Sequence, residues 1–274
     1  MRRSTSRRGG QSFLGLPEIV IKTIVLLLLL ASWEVFSHTS YLKVYKFSRP
    51  SMLIGALWEL MTVGYPKGLT VWLHIKATVL RILMGYFVAI CIAIPTGLIV
   101  GRSYLLNRAI NPIVTFARSI AVISLLPLAI AWFGIGETSR VILVCYGCFW
   151  VILTNTIEGV RQLDVNHINA GRLLGATNRQ IFFRIALPAT LPRIFAGMKI
   201  ALGVAFMVIV AVEMIGTVKG LGALIMQAKD YYDIPMTMDG MIFIAVFGLL
   251  ISLVLDWVER LLLPWAAGLE EVKR

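Results

Sequence analysis

Three cysteines and three histidines are the residues whose types could support redox chemistry or metal binding. Cys145 and Cys148 have the C-x-x-C spacing of redox and zinc sites in soluble proteins. They lie within an apolar stretch, however, and His38, His74 and His167 are scattered among connecting segments. We therefore interpret the cysteines as small packing residues. The sequence predicts that the chain binds no metal and no cofactor.

Catalytic motifs are missing from the sequence as well. It contains no H-E-x-x-H, no G-x-S-x-G and no G-x-x-x-x-G-K-[ST] segment. Without the last of these, the backbone has no loop to hold the phosphates of ATP. A membrane-embedded enzyme would need a convergent set of acid, base or metal ligands. The sequence predicts a protein that is not an enzyme.

One acidic residue, Glu213, lies inside the apolar residues 210–216. A carboxylate in a membrane span is costly and usually faces the interior of the bundle or water. Glu213 could line a pathway for solutes, or it could hold a gate by hydrogen bonds to a neighbouring helix. We favour the second role, since a charged carboxylate is a poor ligand for an anion.

Long apolar helices must position these residues. Hydrophobic residues make up 58% of the chain and charged residues 15%, which argues against a water-soluble domain. A helix crosses a bilayer with about 20 apolar residues. Six stretches predict an all-α integral membrane protein: residues 20–36, 77–100, 110–133, 141–157, 194–217 and 241–263. The first follows a basic run, as in a cleaved signal peptide, but its length and poor cleavage site favour an uncleaved helix.

Smaller features of the pattern predict local structure around these spans. Shorter helices are expected over residues 53–63 and 221–228. Asp256 and Arg260 are four residues apart in the last span and should therefore pair with each other.

Positive charge indicates the orientation of the helices. The formal net charge is +12 at pH 7, which in a soluble protein would suggest nucleic acid as a partner. In a membrane protein, Lys and Arg instead mark cytoplasmic loops. Basic residues before the first stretch, after the second and fourth, and near the C-terminus predict two cytoplasmic termini, although the first external loop is also basic. We expect a basic tail over residues 1–16, a membrane domain over residues 17–265 and a short tail over residues 266–274.

A basic segment interrupts the apolar sequence at residues 168–192. Three arginines alternate there with leucine, isoleucine and phenylalanine, so the segment is too charged for lipid and too apolar for a solvated loop. Gly175 can supply a turn between two short helices. Pro188 should end the second helix at Leu187. The apolar side chains of this segment require a protein partner.

This segment resembles the coupling loop of ABC-importer permeases, in which Glu-Ala-Ala, three residues, Gly and then Ile-x-Leu-Pro recur. The match runs through Ala170, Gly175, Ile185, Leu187 and Pro188. Asn169 and Gly171 replace the usual glutamate and second alanine. The resemblance implies that a helix pair within about residues 158–193 docks on an ATPase. The residues it assigns to coupling are Asn169, Ala170, Gly171, Arg172, Leu174, Gly175, Ala176, Leu187 and Pro188.

Residues 126–139 resemble the end of the third span in permeases for nitrate, sulfonate, taurine, bicarbonate and related solutes. Pro127 should kink or loosen this helix and free carbonyls for a cavity, and Trp132 suits the outer membrane interface. The resemblance places Pro127, Trp132 and Glu213 on or beside the translocation pathway. Residues 120–124 depart from the proline-rich stretch that relatives often have there, which weakens any assignment of the solute.

The resemblance covers roughly residues 20–265 and implies the six-helix transmembrane domain of a type I ABC importer. The chain would be a permease subunit in the bacterial inner membrane, importing a small anion-like solute. Its partners would be two cytoplasmic ABC ATPase subunits that bind the ATP, a second copy of the chain, an extracytoplasmic binding protein and the lipid bilayer, with no nucleic acid. A secondary transporter without an ATPase is the alternative; it would need ionisable relays or interrupted half-helices in corresponding halves.

Overall fold

The computed structural model describes residues 18–38 and 48–265, so the two predicted tails at residues 1–16 and 266–274 lie outside the described residues. All regular structure in the described part is helical. The α-helices are α1 (Glu18–His38), α2 (Pro50–Thr62), α3 (Val71–Arg102), α4 (Tyr104–Ser119), α5 (Leu126–Phe133), α6 (Glu137–Arg161), α7 (Val165–Leu173), α8 (Asn178–Ile181), α9 (Leu187–Glu213), α10 (Leu221–Asp230) and α11 (Ile234–Leu262). A 3-10 helix (Val122–Leu125) precedes α5, and a π-helix (Phe182–Ala186) joins α8 to α9.

Within the described residues, four helical segments are long and apolar enough to cross a membrane: α3, α6, the continuous segment Asn178–Glu213 and α11. The shorter helix α1 carries the apolar stretch Thr23–Ser37. The predicted short helices are confirmed as α2 and α10. Hydropathy therefore located four of the six predicted spans as long apolar helices, α3, α6, α9 and α11. The first predicted span, residues 20–36, falls on the shorter apolar stretch of α1, and one further span is an exception in shape.

The exception is the predicted third span, residues 110–133, which is not one straight helix. The segments Tyr104–Ser119 and Val122–Phe133 meet at 84°, because the backbones of Ile120 and Ala121 are extended between them. The hydroxyl of Tyr146 in α6 donates to the carbonyl of Ala117 (2.8 Å), which satisfies a group that a continuous helix would have used.

The predicted helix end at Leu187 was also wrong. The π-helix carries the chain from α8 into α9, with the Leu187 N–H bonded to the Phe182 carbonyl, and Pro188 lies in the first turn of α9. A proline clashes with the carbonyl four residues before it in a regular helix. The wider π turn removes that conflict, so the helix continues through the proline.

Helices α3, α6 and α9 form the centre of the bundle, with α3 and α6 parallel and α9 antiparallel to both. Glycines let α3 approach α6 closely: a Cβ added at Gly85 would lie 2.8 Å from the Val144 side chain, and one added at Gly97 would lie 2.7 Å from Thr156. Such small-residue contacts hold membrane helices together by close packing. A second cluster, which includes Leu60, Val71, Leu224 and Met236, joins α2, α3, α10 and α11.

The helical spacing predicted that Asp256 pairs with Arg260, and this prediction was wrong. Asp256 pairs instead with Lys199 of α9. The Lys199 Nζ lies 2.7 Å from the Asp256 Oδ1 and also contacts the Glu259 carboxylate. The packing of α9 against α11 brings a half-buried lysine to these two acids, and an ammonium group in an apolar helix gains more from a partner than an exposed arginine does.

The contact between α3 and α6 predicts a position-specific effect of adding a methyl group. Gly97→Ala should lower the free energy of unfolding by about 1–3 kcal/mol, because the new Cβ would displace Thr156. The matched control is Gly55→Ala in α2, where nothing lies within 4 Å and alanine favours the helix. Titration of the purified protein with SDS in mixed micelles measures both; equal effects would contradict the packing described.

Candidate functional site

A helical hairpin, made of α7, residues 174–177 and α8, projects from one end of the bundle. The carboxylate of Asp164 accepts a hydrogen bond from the Asn166 N–H (2.8 Å) and so caps α7. Thr177 and Gln180 form a reciprocal capping box at the start of α8. Local hydrogen bonds thus define both short helices, which would be marginal by their length alone.

Gly175 provides the turn of the hairpin, as the sequence predicted. Its φ is +78°, a conformation that side chains with a Cβ disfavour. The Ala176 N–H donates to the Gly171 carbonyl (3.0 Å), and the Gly175 N–H donates to the Arg172 carbonyl (3.0 Å). This pair of bonds is the Schellman arrangement that ends α-helices at a glycine.

The tip of the hairpin is apolar and uncovered. Leu173 and Leu174 are 88% and 87% exposed. Of the residues assigned to coupling, Asn169, Ala170, Arg172, Leu174 and Gly175 are exposed on the hairpin, Ala176 is half-buried and Gly171 is buried; Leu187 and Pro188 lie half-buried at its base. The structure therefore separates exposed residues at the tip of the hairpin from residues that support its base.

The base of the hairpin is attached to the ends of three central helices. The Arg102 guanidinium at the end of α3 lies 5.7 Å from the centre of the Phe182 ring in the π-helix. The Arg193 Nη2 in α9 donates to the Gln162 Oε1 just after α6 (2.8 Å). A displacement of the hairpin would consequently reach α3, α6 and α9 together.

At the opposite end of α9, the carboxylate of Glu213 is fully buried. It accepts hydrogen bonds from the Thr78 hydroxyl (2.8 Å) and the Arg81 Nη1 (2.6 Å), both in α3. The backbone N–H of Gly222 in α10 supplies a third donor (3.1 Å). Glu213 thus joins the end of α9 to α3 and to the start of α10.

Two arginines and a second glutamate complete this cluster, which we call the ion-pair network (Arg81, Glu137, Arg140 and Glu213). Arg81 contacts the Glu137 carboxylate through both Nε and Nη2, the latter at 2.6 Å from the Glu137 Oε1. The Arg140 Nη1 lies 3.1 Å from the same oxygen. Two positive and two negative side chains balance, so the network is neutral although most of it is buried. Removing one partner from such a pair typically costs about 3–5 kcal/mol.

The loop before α10 is held by the same residues. The Thr78 hydroxyl accepts from the Leu221 N–H (2.8 Å), and the Arg81 Nη1 donates to the Lys219 carbonyl (2.7 Å). Gly220 has a φ of +136°, and a Cβ there would overlap the Glu213 carboxyl group. The loop conformation therefore depends on the network and on glycine.

The sequence pointed to Glu213 but not to Thr78, Arg81, Glu137 or Arg140. Arg81 could have been found, because it is a charged residue inside the predicted apolar stretch 77–100. A cation and an anion within spans are expected to pair. Thr78 and Glu137 have no comparable signal, because their roles depend on which helices pack together.

Pro127 and Trp132 lie on the exposed side of α5. Pro127 occupies the first turn of α5, where its missing N–H costs nothing, and the bend of the chain lies before it at residues 119–122. The Trp132 ring is 70% exposed and contacts Phe133 edge-on. The structure thus brings neither residue into a hydrogen bond with Glu213.

Within the described residues, no group of three His, Cys, Asp or Glu side chains could hold a metal ion. Cys148 is buried in the core beside Ala201, and Cys145 is half-buried in the same helix.

Long apolar helices around a buried ion-pair network, with an apolar hairpin at one end, define a membrane transport subunit. The chain belongs to the family described as "Binding-protein-dependent transport system inner membrane component", which matches residues 89–267. It is therefore an ABC-importer permease, as the sequence predicted.

Particular relatives support this assignment. The taurine transport system permease protein TauC of Escherichia coli (strain K12) is 33% identical over 212 residues, covering 76% of this chain and 77% of that protein. The putative aliphatic sulfonates transport permease protein SsuC of Bacillus subtilis (strain 168) is 27% identical over 264 residues, covering 96% and 91%. A chain of the inward-facing MetNI methionine ABC transporter superposes with a TM-score of 0.59 at 23% identity, covering 70% of this chain and 97% of that chain. This likeness confirms the predicted type I importer fold.

The ion-pair network predicts an effect of removing one hydroxyl group. Thr78→Val should lower the free energy of unfolding by about 1–3 kcal/mol, because the Leu221 N–H loses its acceptor and Glu213 loses a donor. Thr96→Val in the same helix is the control, since the exposed Thr96 hydroxyl bonds only to the Ile92 carbonyl of its own helix. The unfolding titration used for Gly97 distinguishes them; a similar loss in both variants would argue against the network.

Proposed function

We propose that the permease passes small organic sulfonates, or anions of similar size, inward across the membrane when partner ATPases move its hairpin. One observation carries this proposal: the apolar hairpin tip and the ion-pair network lie at opposite ends of one continuous helical segment, Asn178–Glu213. Helix α9 alone has 27 residues and is thus about 40 Å long. It can carry a displacement from one membrane face to the other.

The hairpin is the proposed docking surface for the ATPases. Leu173 and Leu174 expose apolar area that water solvates poorly, and the neighbouring Arg172 and Arg179 are exposed and basic. A groove with an apolar floor and an acidic rim would match both features. Because the sequence has no phosphate-binding loop, ATP would be bound and hydrolysed by the partners and not by this chain. Two ATPases, one for each copy of the permease, would complete the complex.

The same proposal assigns the two faces of the membrane. The hairpin end carries the arginines expected on the cytoplasmic side, so both termini would also be cytoplasmic in an inner-membrane protein. The ion-pair network would then lie near the outer face, where an extracytoplasmic binding protein delivers the solute. Its neutral, closed arrangement suits a gate, with Glu213 holding α3, α9 and α10 together.

The solute class rests on the relatives and not on a cavity. TauC is named for taurine and SsuC for aliphatic sulfonates, and both names describe small organic molecules that carry a sulfonate group. Uptake of radiolabelled sulfonates by cells that produce this chain with its ATPase and binding protein is the direct test. A secondary transporter has less support, because within the described residues the buried Arg81 and Glu213 pair with each other instead of forming a relay.

Docking through the hairpin predicts that Gly175→Glu leaves membrane insertion intact but uncouples transport. The substitution adds a charge at the apolar tip and forces a side chain into a positive-φ position. Co-purification of a tagged ATPase, together with uptake, measures the effect. The matched control is Gly68→Glu, at another exposed glycine with positive φ and nothing within 4 Å. Full retention of the complex and of uptake in Gly175→Glu would refute the coupling assignment.

The proposed gate predicts that Glu213→Gln keeps the complex assembled but slows uptake. The amide fills the same space, yet Arg81 loses a counter-charge and a charge-assisted bond worth about 1.5–3 kcal/mol. If the bond forms in only one of the two states of the gate, open or closed, the ratio of their populations changes by roughly tenfold or more. The control is Glu59→Gln, at an exposed position of α2. Normal uptake by Glu213→Gln at every pH tested would show that the charge has no role.

A further inference from the structure

A second buried carboxylate lies outside the ion-pair network. Asp239, in the second turn of α11, is 4% exposed, and its Oδ2 has no hydrogen-bond partner. Burial of an unpaired carboxylate is costly, whereas burial beside a cation is much less so. Glu213 shows how this chain satisfies a buried acid elsewhere, with three donors, one of which is a guanidinium. Asp239 lacks such partners.

Asp239 lines a cavity of about 390 Å³ between α2, α3 and α11. Its other walls are aliphatic or aromatic and include Leu57, Met61, Trp72, Phe243, Val246 and Phe247. Among the residues that the structure describes, Asp239 is the only charged one in the lining. The cavity therefore combines one negative group with a surface that water does not solvate well.

The outer part of the cavity is continuous with an exposed apolar surface. Trp72 is 62% exposed and Val246 is 45% exposed, whereas Asp239 lies at the buried part. Trp side chains are enriched at the level of the lipid headgroups, and the second turn of a spanning helix lies near that level. Asp233, which caps α11, adds another negative charge on the same helix end. A ligand that fits must be cationic at one end and apolar at the other.

We propose that this cavity binds an amphiphile with a primary ammonium head, supplied in the membrane by an aminophospholipid. The ammonium group pairs with the Asp239 carboxylate and lies among aromatic rings that also attract cations. The hydrocarbon chain lies along Val246 and Phe247. The site does not depend on the solute that the permease carries.

A pair of probes tests the chemistry of the site in the purified full-length chain. Decylamine, which is charged at neutral pH, should raise the unfolding temperature in a saturable manner, and decanol, with the same chain and no charge, should not. Asp239→Asn should raise the decylamine concentration that gives half of this stabilisation by about tenfold or more. Val246→Trp, which fills the cavity and keeps the acid, should do the same. Glu59→Gln, at an exposed acid in α2, should respond like the unmodified chain.

The source of the ammonium group is tested in nanodiscs. Phosphatidylethanolamine should stabilise the unmodified chain relative to a neutral glycolipid with the same acyl chains, and Asp239→Asn should lose this difference. A response to decylamine without one to phosphatidylethanolamine would overturn the assignment to lipid. Equal responses to decylamine and decanol, no response to decylamine, or an undiminished response in either Asp239→Asn or Val246→Trp would overturn the site itself.

Discussion

The buried carboxylate of Glu213 is the constraint on which the end of the bundle depends. It is fully buried, so its charge must be compensated by donors that lie inside the bundle. Thr78 and Arg81 supply donors from α3, and the Gly222 N–H supplies one from α10. Arg81 in turn requires a second anion, Glu137, which brings in α6. One polar group thus determines how three crossing helices and the loop before α10 meet, in a region where apolar packing alone would allow many arrangements.

The hairpin end differs from the Glu213 end in the range of its polar contacts and in the exposure of its apolar side chains. There the hydrogen bonds are local and complete, in a cap, a Schellman turn and a capping box, while the apolar side chains of Leu173 and Leu174 remain uncovered. At one end of the molecule the polar groups are paired within the protein, and at the other end apolar side chains are exposed. If the hairpin docks as proposed, a force applied there acts on a locally hydrogen-bonded element that continues into α9, and the ionic contacts at the far end of α9 oppose it. This asymmetry would suit the proposed gate.

How much of the fold and of the candidate site could be predicted depends on how far apart in the sequence the interacting residues lie. Hydropathy and spacing predicted α3, α6, α9, α11 and both short helices, because these signals are local. The bend at residues 119–122 could not be predicted, since no proline or glycine marks it and the Tyr146 hydroxyl that stabilises it comes from α6. Glu213 was identifiable as a buried acid, but its contact with Arg81 spans 132 residues of sequence. The π turn that carries the helix through Pro188 contradicts the local rule for proline.

The two departures from the family pattern in the hairpin have different consequences. Gly171 faces inward, and a Cβ there would lie 2.7 Å from the Ile185 Cδ1. An alanine at residue 171 would therefore require the Ile185 side chain to shift, whereas glycine fits this contact as it stands. Asn169, by contrast, is exposed on α7. If the hairpin docks as proposed, the lost carboxylate at residue 169 changes the surface that an ATPase meets, whereas Gly171 does not. Any selectivity for a particular ATPase that arises from these departures should therefore originate at Asn169.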